Sequence, residues 1–158
     1  MEHDTPSGRE LTRLAVAATL HCLTGCAIGE VLGMVLATAA GLSNLSTIVL
    51  SVVLAFLFGY SLTLRPVLAS GLALGAAVPI ALAADTVSIL SMEVVDNAIV
   101  LAIPGAMDAG LTSLLFWGSL AASLVIAFAV TVPVNRWLIG RGKGHAVVHQ
   151  FHGASHGH

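Results

Sequence analysis

Cys22, Cys26 and Glu30 recur at steps of four, with His21 beside the first of them. On an α-helix residues four apart stack along one face, so two thiols and a carboxyl form a stripe, with His21 about 100° to one side. The surrounding stretch, Leu14 to Ala40, is otherwise apolar and long enough to cross a bilayer. An ionisable group inside such a segment is costly and marks a pathway or a bound ion. Thiolate and imidazole suit Cu(I) or Zn(II), while carboxylate suits harder ions. Cysteine is also a small hydrophobe that packs well, so the pair alone fits plain core packing. His21 and Glu30 alongside favour a metal site. A thiol redox pair is the competing chemistry, although such pairs ordinarily have the Cys-x-x-Cys spacing.

Two further groups invite the same question. Asp85, Met92 and Asp96 (i, i+7, i+11) fall within about 20–40° of one another on a helix, with Glu93 beside them. Met107 and Asp108 follow, and Thr112, Ser119 and Ser123 continue from Asp108 on one face. As a metal route these acids and methionines form an outer mouth. As ordinary structure they are solvated loop carboxylates, with Asp108 an acidic cap on the next helix. Asp85, after an unbroken apolar run, sits within the membrane. Near the C-terminus His145, His149, His152 and His156 are spaced 4, 3 and 4, opposite Val147, Val148 and Phe151. A helical i, i+4 His pair can hold a metal, and a His-rich tract reads the same way. The plain alternative is an interfacial amphipathic helix or a loose tail, since Gly153 and Gly157 weaken helicity. A cloning tag would be an unbroken His run, so the tail reads as native.

The elements that carry these groups are membrane spans. Of 158 residues 57% are hydrophobic and 9% charged, against about 25% charged in soluble domains. Mean hydropathy is +0.97. Leu45 to Leu64 has no ionisable residue except Tyr60, and Val67 to Ala84 and Leu111 to Val134 have none. No soluble domain fits between them. A net charge of −2 without a basic patch excludes nucleic acid. Neither a phosphate-binding glycine fingerprint nor a plausible Ser-His-Asp set is present, so an enzyme is the less favoured class. The first apolar run exceeds the roughly 7–15 residues of a signal core and contains Glu30, so it is expected to be retained.

The expected fold is all-α: an integral membrane four-helix bundle over 1–136, with spans near 11–39, 45–64, 67–91 and 108–134. A cytoplasmic His-rich amphipathic tail follows over 137–158. Arg65-Pro66 reads as a tight corner, with Pro at a helix start. A fifth span over Asp85–Met107 would sink Glu93 and Asp96 in mid-bilayer, at about 2.5–3.5 kcal/mol each. With four spans, Arg9, Arg13, Arg65, Arg136, Arg141 and Lys143 share one side. The positive-inside rule makes that side cytoplasmic, as in a bacterial inner membrane. Ala98–Met107, too short to cross and broken by Pro104-Gly105, then reads as a re-entrant or interfacial segment. Gly25, Gly29 and Gly33 form a zipper for close helix approach. Gly71 and Gly75 offer it a partner surface, and such faces allow a homo-oligomer.

The chain resembles a family of small bacterial membrane proteins known as domain of unknown function 4396. The resemblance rests on His21-Cys22-Leu23-Thr24-Gly25-Cys26 with Gly29-Glu30, and on Met107-Asp108-Ala109-Gly110 with Phe116-Trp117. Pro133-Val134-Asn135-Arg136-Trp137 and Arg141-Gly142-Lys143-Gly144-His145 complete it. It spans nearly the whole chain and implies no activity. The leading expectation is thus a membrane protein that binds a soft or borderline ion, Cu(I) or Zn(II), with transport, storage and sensing all open. The alternatives are a membrane thiol-disulfide oxidoreductase using Cys22 and Cys26, or a structural subunit without chemistry.

Overall fold

The computed structural model describes residues 7–141, apart from the side chains of Ile80 and Ala84; His145, His149, His152 and His156 lie outside the described residues. Four helices follow in order: α1 (Gly8–Ala40), α2 (Asn44–Ala69), α3 (Leu74–Ala102) and α4 (Leu114–Gly140). No strand occurs among the described residues. Three helices, α1, α2 and α4, are long and apolar enough to cross a membrane. A fourth crossing is available if the two arms of α3, Leu74–Ala83 and Asp85–Ala102, bent by 43°, count as one span.

Local chemistry sets the ends. Ser7, Ser43 and Ser113 cap α1, α2 and α4, each accepting from a backbone N–H of the first turn. Gly41 stops α1 in the left-handed conformation (φ 65°), its N–H returning to the Ala37 and Thr38 carbonyls.

Three expectations about the elements need correction. Arg65-Pro66 is not a corner: α2 runs through Pro66, and the chain turns only at Ser70–Ala73. Pro66 sits in the last turn of α2, where the helix is ending anyway. The third helix starts later and extends further, so Glu93 and Asp96 belong to its body and Ala98–Ala102 completes it. Asp108 does not open α4: it lies in the connecting loop, accepting from Asn44 Nδ2 at 3.1 Å, and Ser113 caps the helix.

The side chains are sorted inside out. Leu45, Val49, Val53 and Leu57 of α2 and Val125 of α4 are exposed, and Leu114 is 88% exposed. Buried positions include Thr19, Glu30, Thr63, Asp85, Ser88, Glu93, Asp96, Ser123 and Asn135. Apolar side chains outside and polar ones within is the arrangement a hydrocarbon solvent selects, because lipid solvates the first and not the second.

α1 packs most extensively on α2. The glycine zipper makes this possible, but its partner is not the expected one. A Cβ at Gly25 would lie 2.8 Å from the Gly59 Cα, one at Gly29 would overlap the Ala55 backbone, and one at Gly33 would strike Ser51. Gly71 and Gly75 have nothing within 4 Å of a built Cβ. The matching stripe is Ser51, Ala55 and Gly59 on α2, also at spacing four. α1 also meets α4 and, less extensively, α3.

Candidate functional site

α1 and α3 face each other through polar groups at matched heights. On α1 the stripe is Thr19, Cys22, Cys26 and Glu30. On α3 it is Asp85, Ser88, Met92, Glu93 and Asp96. Four residues of helix rise about 6 Å, so the two stripes advance together if the helices run the same way.

The first rung surrounds Cys22. Ser88 Oγ donates to Cys22 Sγ at 3.1 Å, and Asp85 Oδ1 lies 4.0 Å from the same sulfur. Thr63 of α2 lies against Asp85 and stands 3.0 Å from His21 Nε2. Asn135 of α4 donates to Ser88 Oγ at 3.0 Å and to Thr19 Oγ1 at 2.9 Å. All four helices therefore contribute to one buried network.

The second rung pairs the Cys26 thiol with the Glu93 carboxyl. Asn97 Nδ2 steadies Glu93, 2.9 Å from its carbonyl and 3.4 Å from Oε2. In the third rung Glu30 meets Asp96 carboxyl to carboxyl, and Ser123 of α4 donates to Asp96 Oδ1. Met92, wholly buried, packs with Cys22, Cys26, Ala55, Ile89 and Ala127 between the rungs.

The sequence groups are thereby redistributed. Cys22, Cys26, Glu30, Asp85, Met92 and Asp96 come together in the interior. The expectation that Met92 and Asp96 stand at an outer mouth is corrected, because α3 continues past them. Met107 and Asp108 remain at the loop end, Met107 half-buried and Asp108 exposed. His21 is half-buried at the ladder's edge. Both cysteines are free thiols. Ser88, Asn135, Thr19 and Thr63 were not singled out from sequence; a Ser or Thr in an apolar helix looks like any small residue until its neighbour is known. Among the described residues no three His, Cys, Asp or Glu side chains converge closely enough to hold an ion as they stand.

Among the described residues no arginine reaches this interior, and half-buried His21 stands at its edge. Arg9, Arg13, Arg65, Arg136 and Arg141 are all exposed, while Glu30, Glu93 and Asp96 are each 3% exposed. Three unneutralised carboxylates in a low-dielectric core would repel one another strongly.

A large open recess of about 590 Å³, lined by residues such as Glu10, Arg13 and Leu20, lies at the start of α1. It shares no residue with the ladder.

Residues 13–144 match the family described as a domain of unknown function, DUF4396. The chain belongs to that family. No curated protein and no solved structure matches it. The family description assigns no activity.

Proposed function

We propose that this DUF4396 protein is a four-span membrane bundle, its termini in the cytoplasm, that binds and passes a soft or borderline transition metal ion, Cu(I) or Zn(II). The observation that carries the reading is the buried column of two thiols and four carboxyls, Cys22, Cys26, Glu30, Asp85, Glu93 and Asp96, with every described arginine outside it and His21 at its edge. A column of acids alone would suit protons or hard cations; the two sulfurs select softer ions. Binding needs rotamer changes that bring Cys26, Glu93 and Glu30, or Cys22, Cys26 and Asp85, onto one ion. The metal's charge then favours the thiolate form that an apolar setting opposes.

The test is metal content of the purified protein, loaded with Zn(II) or Cu(I) under reducing conditions. The wild type is expected to retain metal, and Cys22→Ser/Cys26→Ser and Glu30→Gln to lose most of it while remaining folded. Equal metal in the double variant and the wild type refutes the sulfur site. A disulfide in the isolated wild type would instead favour the oxidoreductase.

A further inference from the structure

Two cavities lie end to end between the loops and the ladder. The outer one, about 90 Å³, is lined by Leu42 and Leu111 of the α1–α2 and α3–α4 connections and by Asn44 at the start of α2, among others. The inner one, about 10 Å³, is lined by Glu30, Ser51, Asp96 and Asn97. Met34, Thr47 and Met107 line both, so they form the constriction between them. The inner space is near the least that admits one water molecule, and an ion stripped of its water needs no more.

Its walls are poorly satisfied. Ser51 Oγ, on a side chain 5% exposed, has no hydrogen-bond partner, and Glu30 Oε2 meets no donor. A buried hydroxyl and a buried carboxyl oxygen left so are unusual and ask for an occupant. At the constriction stand two neutral thioethers, soft ligands that accept Cu(I)-like ions and discriminate against hard ones. Behind it carboxyl oxygens supply the charge the thioethers lack. Deeper still come Met92, Cys26 and Cys22.

Resting on the reading that the ladder takes a cation, we infer that a soft monovalent ion is admitted from the loop end through a thioether gate. Met34 and Met107 form the gate, which opens into the chamber of Glu30, Ser51 and Asp96. Neither Met34 nor Ser51 follows from ligand spacing in the sequence. Methionine also fills gaps in cores, so the test separates ligation from packing.

The probe is Ag(I), a redox-inert soft cation, added to the full chain in lipid nanodiscs. Peroxide oxidation of each methionine is followed by peptide mass spectrometry, with bound Ag(I) measured in parallel. Ag(I) is expected to slow oxidation of Met34 and Met107 several-fold. Unchanged rates at both residues, in protein that does bind Ag(I), overturn the gate and leave the metal reading standing. If the wild type binds no Ag(I) and no Zn(II), both fall. Met34→Leu/Met107→Leu, which preserves apolar bulk, should weaken Ag(I) by about tenfold or more, the scale of a lost supporting interaction at a metal site, and leave Zn(II) nearly unchanged. Equal loss of both ions would make the methionines structural and refute the inference.

Discussion

Asn135 ties three helices with one side chain. Its amide nitrogen, on α4, donates to Thr19 on α1 and to Ser88 on α3, and Ser88 passes the connection to Cys22. Asn135→Ala removes the shared donor but leaves hydroxyls that can reach their own backbone carbonyls, as Thr19 already does toward Ala15 at 2.7 Å. Interhelical hydrogen bonds in membranes contribute about 0.6 kcal/mol on average and up to about 1.7. Loss of both should lower thermal stability by about that range each, read as a modest drop in melting temperature in detergent. A fall too small to measure would mean the network orients Cys22 without holding the helices. Glu30 and the two cysteines were legible in the sequence because their spacing on one helix is itself a pattern. Asn135 was not, because a lone Asn beside Arg136 looks like the polar end of a span. Glu93 and Asp96 were visible as acids but read as loop carboxylates, whereas both are buried in the body of α3. Their neighbours there, Cys26, Asn97, Ser123 and Glu30, come from three helices, which no single-helix reading contains.

Helix packing carries a second prediction. At Gly29 the α1 and α2 backbones approach so closely that even a methyl group would overlap Ala55. Gly29→Leu must push the helices apart and, with them, the rungs that α1 presents to α3. Overpacking ordinarily costs about 1–3 kcal/mol, and here the obstacle is backbone, which cannot rotate aside. Gly29→Leu is expected to lower the melting temperature sharply, whereas Gly75→Leu, with open space around it, should leave it nearly unchanged. Equal tolerance of both would deny the α1–α2 contact. The zipper itself was legible from spacing, as were the long apolar helices. Its partner was not. Gly71 and Gly75 share the spacing of Ser51, Ala55 and Gly59, but Gly71 ends in a turn with φ 95°, so the pair never forms a helical face. The end of α2 and the start of α3 were misplaced by proline, which sequence reading treats as a boundary although Pro66 lies inside α2.

At the scale of the whole molecule, the distribution of charge argues for one orientation of the bundle, and α3 decides whether the scheme closes. Arg9 and Arg13 lie at the start of α1, Arg65 near the end of α2, and Arg136 and Arg141 at the end of α4. The α1–α2 turn and the α3–α4 loop contain no Lys or Arg. If α3 crosses despite its 43° bend, every arginine falls on one face, which the positive-inside rule makes cytoplasmic. If α3 folds back instead, α4 carries Arg136 and Arg141 to the far side, against that rule. Four single substitutions at exposed sites read the difference: Glu10→Cys, Leu42→Cys, Ser70→Cys and Thr112→Cys. The native cysteines are fully buried and should react slowly. A membrane-impermeant thiol reagent is expected to label Leu42→Cys and Thr112→Cys from outside the cytoplasmic membrane. Glu10→Cys and Ser70→Cys should react only once that membrane is opened. Thr112→Cys behaving like Ser70→Cys would reduce the crossings to three. The loop-end cavity beside Met107 would then not open outward, and a path through the ladder would have no far side to reach.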